Sequence, residues 1–107
     1  MNKQLICIET TTPSFEEAEK ISRIILDEQL ASCIQFQQIN SRYFWQGQFC
    51  QEQEILISIK TTANFFDQIC QIIQKNHSYQ IPQIIAKKID FCEKKYLDWL
   101  LISNNIK

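Results

Sequence analysis

Near the middle of the chain one turn separates two long alternating segments, and this turn limits the fold more than any other feature. Gly47 is the only glycine of the 107 residues, and it lies in "RYFWQGQFC", Arg42 to Cys50, among Tyr43, Phe44, Trp45 and Phe49. With Gln46-Gly47 as the central pair of a two-residue hairpin, Gly47 takes a positive φ and the flanking register is set. Ile34 then faces Ile59, Phe36 faces Ile57 and Gln38 faces Ile55 on one side. Gln35 faces Ser58 and Cys33 faces Lys60 on the other. One apolar and one largely polar face result without a bulge, which is the consistency a true register shows.

The two strands, Cys33 to Trp45 and Gln48 to Lys60, are 13 residues each. At about 3.3 Å per residue each would reach roughly 43 Å. A compact domain of this length has a radius of gyration near 13 Å and is only about 34 Å across. The hairpin tip is therefore expected to overhang its own domain, carrying Tyr43, Phe44, Trp45 and Phe49 with it. Such an apolar ribbon is an aggregation hazard unless something covers it. The sequence predicts a symmetric oligomer in which the ribbon packs on a neighbouring subunit. A bulge folding the tip back onto its own core is the alternative.

The flanking segments complete a pattern. Gln4 to Glu9 reads as a strand. Ser14 and Glu17 form a capping box ahead of a helix whose apolar stripe is Ala18, Ile21, Ile24 and Ile25. After Lys60, the spacing of Phe66, Ile69, Cys70 and Ile73 predicts a second helix ending near Asn76. "HSYQIP" is a connection, "IIAKKIDF" a fourth strand, and "EKKYLDWLLI" a third helix with Tyr96, Leu97 and Leu100 facing inward. The order β-α-β-β-α-β-α predicts an α+β fold: a single ferredoxin-like split β-α-β sandwich over residues 1–107, with an added C-terminal helix.

Composition excludes several function classes. A net charge of −1 offers no field for a nucleic-acid backbone or an anionic membrane. No apolar run approaches the length of a membrane span, and "MNKQLICIE" reads as a first strand rather than a leader, so the expected location is the cytoplasm. Five cysteines (Cys7, Cys33, Cys50, Cys70, Cys92) without a C-x-x-C read as buried, reduced thiols acting as small hydrophobes. The arginines, Arg23 and Arg42, lie in a helix and in the ribbon. No nucleophile–base spacing stands out, so no catalytic residue is assigned and no enzyme is expected.

Five motifs, in order along the chain, resemble those of the CutA divalent-cation-tolerance family. "LASC" (Leu30 to Cys33) is similar to its L-x-A-C. Ser41, Tyr43, Trp45 and Gly47 resemble its S-x-Y-x-W-x-G hairpin. Glu54 with Lys60-Thr61 resembles E-x5-K-T, "HSYQIPQ" resembles H-P-Y-x-x-P-E, and "YLDWL" resembles Y-L-x-W-L. The resemblance implies a ferredoxin-like protomer in a homotrimer joined by long ribbons, similar in architecture to PII-type signalling proteins. It also implies a part in tolerance to copper and other divalent cations, and clefts between subunits lined by Glu54, Lys60 and Tyr79.

The same resemblance implies a copper site on three positions, which here are Thr10, Asn76 and Gln83 in place of a cysteine, a histidine and a glutamate. A hydroxyl and two amides are poor ligands for copper or zinc, which favour sulfur, imidazole or anionic oxygen. His77, the only histidine, is then the candidate metal ligand. A small-molecule sensor of the PII kind is the alternative function, and Lys60 in the cleft would suit an anionic ligand.

Overall fold

The alternation about Gln46-Gly47 folds as one unbroken ladder. In the computed structural model, which describes residues 2–103, the elements run β1 (Leu5–Thr12), α1 (Phe15–Asp27), β2 (Cys33–Trp45) and β3 (Gln48–Thr62). A 3-10 turn (Ala63–Phe65) leads into α2 (Phe66–Asn76), followed by β4 (Ile85–Lys88) and α3 (Lys94–Ser103). Every pair from Cys33↔Lys60 to Trp45↔Gln48 is in the expected register. Gln46 (φ 51°) and Gly47 (φ 80°) both lie in the left-handed region, the signature of a type I′ turn.

The sheet is antiparallel in the order β2-β3-β1-β4, the ferredoxin-like arrangement. Ile6 and Ile8 of β1 and Ile57 and Ile59 of β3 share one face, where Ala18, Ile21 and Ile25 of α1 and Ile69 and Ile73 of α2 cover them. Ile34, Phe36 and Ile55 extend this core toward the ribbon, and Phe15 meets Phe36 edge to face at 5.3 Å.

Strand β1 ends at Thr12, opposite Ile55. From there to the turn, β2 and β3 pair only with each other, and the molecule measures 44 × 26 × 22 Å. The ribbon does not bend back. Phe44 is 74% exposed and Phe49 57%, the two rings packing edge to face at 5.7 Å.

Local chemistry explains the element ends. Ser14 Oγ caps α1 by accepting the Glu17 N–H at 3.2 Å. At the other end Leu30 N–H donates to Ile25 O (3.1 Å) and Gln29 N–H to Leu26 O (2.9 Å), with Gln29 at φ 57°. This is a Schellman motif with glutamine where glycine is usual.

Several expectations need correction. β1 runs on to Thr12, because Thr10 and Thr12 are β-branched and fully buried under the helices. β4 keeps only Ile85–Lys88, all exposed at the sheet edge. Tyr96 does not face inward: it is 38% exposed and stacks on Trp99 at 5.8 Å, leaving Leu100 as the buried residue of α3. Phe66 packs half-buried against the core as the stripe implies, and Phe65, in the 3-10 turn one residue before α2, is buried beside it. Glu17 does not close the capping box; its carboxylate is engaged elsewhere, by Ser78.

Two substitutions test this description by denaturant unfolding at fixed protomer concentration. Gln29→Gly relieves a left-handed glutamine and is expected to raise stability by about 0.5–1 kcal/mol. Thr10→Val removes a buried hydroxyl that has no hydrogen-bond partner among the described residues. It is expected to be neutral or to stabilise by up to about 1 kcal/mol. A loss above about 1 kcal/mol in either variant would contradict the assignment.

Candidate functional site

Because β1 stops at Thr12, the edge of β3 at Glu52 and Glu54 has no strand beside it. The α2–β4 connection, residues 77–84, enters this gap. His77 holds the connection in place. Its Nε2 lies 2.7 Å from Thr11 O, to which it donates, while Nδ1 accepts the Tyr79 N–H at 3.0 Å. Glu17 Oε2 also lies 3.3 Å from Nδ1. The Tyr79 N–H makes Nδ1 an acceptor, so that approach is not an ion pair. The Glu17 carboxylate is instead satisfied by Ser78 N–H and Ser78 Oγ, each at 3.1 Å.

Anchored this way, the loop delivers the Tyr79 phenol to the sheet. Tyr79 OH donates to Glu54 Oε2 at 2.8 Å and lies 3.4 Å from Glu52 Oε2. Tyr43 OH, from the facing strand, donates to Glu52 Oε1 at 2.5 Å. Glu52 and Glu54 are two residues apart on β3 and so share a face. Glu54 is only 6% exposed. Neither carboxylate forms an ion pair with a Lys or Arg among the described residues.

The hydrogen bond it donates to Glu52 pushes the Tyr43 phenol up to about 12. Burial, followed by the bond to Glu54, raises the Tyr79 phenol well beyond its usual range. Both phenols therefore stay protonated at neutral pH and remain donors to the carboxylates. Around them opens a cleft of about 680 Å³, walled by Trp45, Arg42, Ile81 and Gln83 as well as the two tyrosines.

The structure brings Glu54 and Tyr79 together but leaves Lys60 at the far end of the strand. Lys60 Nζ donates to Tyr96 OH at 3.0 Å and sits 5.1 Å over that ring, and this bond raises its pKa. A meeting of Lys60 with Glu54 would have to be between chains. Tyr43, placed by the sequence among ribbon-packing residues, is also part of the cleft. Sequence reasoning missed Glu52 and the anchoring role of Glu17. Strand parity could have found Glu52, because it shares a face with Glu54.

The residues implied as copper ligands make no hydrogen bond to one another within the protomer. Thr10 is buried on the helix-covered face, Asn76 Nδ2 donates to Ile72 O at 2.8 Å, and Gln83 lines the cleft. Both His77 nitrogens are occupied and its side chain is fully buried. Among the described residues no three His, Cys, Asp or Glu side chains gather as a metal site. With a hydroxyl and amides as the remaining donors, a soft-metal site within one chain does not fit.

A family profile described as "CutA1 divalent ion tolerance protein" matches residues 6–103. The divalent-cation tolerance protein CutA of Thermus thermophilus is 36% identical over 91 residues, covering 84% of this chain and 88% of that protein. The Pyrococcus horikoshii protein of the same name is 30% identical over 97 residues, 91% and 95% of the two chains. The solved structure of the Archaeoglobus fulgidus protein, described as a periplasmic divalent cation tolerance protein CutA, superposes with a TM-score of 0.90. It is 32% identical, covering 94% of this chain and 98% of that one. Oryza sativa CutA1 superposes at 0.89 with 32% identity, covering 95% and 94%. With the ladder, the hairpin and the loop motif all in place, this chain belongs to the CutA divalent-cation tolerance family.

Proposed function

We propose that the protein acts in divalent-cation tolerance as a cytoplasmic homotrimer. One observation supports the assembly: the ribbon projects past β1 with Phe44, Phe49 and Trp45 exposed on it. An apolar overhang of this kind calls for a covering surface. A ribbon of one subunit laid on the body of the next is a heterologous contact, which stays finite only by closing into a ring. Three is the number that the family resemblance implies.

Because one protomer does not assemble a soft-metal site, copper or zinc would be held between subunits. His77 could take part only by releasing Thr11 or Tyr79. A second reading, a small-molecule sensor of the PII kind, draws support from the cleft at Glu54 and Tyr79.

Native mass spectrometry of the reduced, metal-free protein tests the proposal. A trimer is expected, and uptake of three equivalents of copper(II) or zinc would support the interfacial site. A trimer taking up none would retire direct metal binding, and a monomer would overturn the assembly. Replacing both Phe44 and Phe49 by Ser is expected to weaken assembly while leaving helix content unchanged by circular dichroism. Phenolate absorbance tests the cleft's charge. Stability tied to Tyr43 is full below about pH 10, its unfolded value, and is lost as pH rises toward about 12. Glu52→Gln should move the Tyr43 transition back toward the ordinary range, and an unchanged titration would contradict the assigned bond.

A further inference from the structure

We infer that the cleft beside Glu52 and Glu54 binds a small organic cation bearing N–H donors, a primary amine or a guanidine. This rests on the small-molecule reading of the cleft and gives its ligand a chemical class. Two carboxylates lie side by side on β3, one of them 6% exposed, and neither is paired with a basic side chain among the described residues. A carboxylate so far removed from water is costly unless positive charge or enough donors compensate it. Tyr43 and Tyr79 give one proton each and no charge.

With their protons committed, the two phenols present lone pairs to the cleft, as do the carboxylates. Against these four acceptor groups an ammonium or guanidinium brings both positive charge and N–H donors. Trp45 and the tyrosine rings add faces suited to a cation. Arg42 also lines the cleft, and with two carboxylates against one guanidinium the charge balance stays negative. Within one chain Lys60 adds no positive charge beside Glu52 and Glu54, since it is held by Tyr96 at the far end of the strand. A bare metal ion suits the site less well. No third ligating side chain joins the carboxylates, and about 680 Å³ exceeds many times the roughly 30 Å³ of one water.

Isothermal titration calorimetry of the purified, metal-free protein at low ionic strength tests this with four probes: putrescine, 1,4-butanediol, succinate and zinc. Putrescine is expected to bind saturably, one per protomer, and at least tenfold more tightly than the uncharged diol of the same length. Glu52→Gln and Glu54→Gln should each weaken it at least tenfold, while Glu19→Gln, exposed on α1, should leave it unchanged. If Glu54→Gln fails to fold, the more exposed Glu52 carries the test. Unchanged affinity in Glu52→Gln would make putrescine a diffuse counter-ion and overturn the inference. Tighter binding of succinate, or zinc competing for the same site, would also overturn it. Succinate uptake would leave the small-molecule reading standing, and silence from all four probes would remove both.

Discussion

A thirteen-residue strand and a fifteen-residue strand are laid beside one of eight, and this mismatch generates the rest of the molecule. Where β1 runs out at Thr12, the ladder continues without a neighbour. Outward from that point it becomes a free ribbon whose aromatics need a partner surface. Alongside, it leaves the edge of β3 open at Glu52 and Glu54, which the loop after α2 enters with Tyr79. Ribbon and cleft are thus two consequences of one length difference.

The cleft depends on polar bonds that hold the loop against the end of the sheet. His77 ties it to Thr11 of β1, and Ser78 ties it to Glu17 of α1. These elements belong to the buried core, so the Tyr79 phenol is aimed by the fold itself. In the family pattern that loop carries a proline where this chain has Ser78. Here the two bonds from Ser78 to Glu17 supply restraint that a fixed φ would otherwise give. Losing them would loosen Tyr79 without disturbing the hydrophobic core.

The sequence revealed the ladder because its signals are local and reinforce one another. A single Gln-Gly turn, period-two alternation and matched strand lengths leave one register. The two amphipathic helices were legible for the same reason, through Ala18, Ile21 and Ile25 and through Ile69 and Ile73. What was not legible depends on distant contacts. β4 shortens because its exposed edge residues carry little pattern. Tyr96 turns outward because Lys60 and Trp99 offer its ring and hydroxyl partners there. Glu17 left the capping box because a serine sixty-one residues away offered two donors. The cleft itself is assembled from β1, the ribbon and a loop, and only the matched motifs hinted that Glu54 and Tyr79 belong together.

The central claim is that the ribbon past Thr12 is ordered by a neighbouring subunit rather than by its own domain. An isolated two-stranded hairpin is marginal in water, so its backbone amides report directly on whether it is covered. Hydrogen exchange of the assembled protein should show the amides of residues 40–53 protected to a degree comparable with Ile55–Thr62, and the protection should fall on dilution. Rapid exchange across 40–53 at every concentration, beside a protected sheet body, would show an uncovered hairpin and contradict the account.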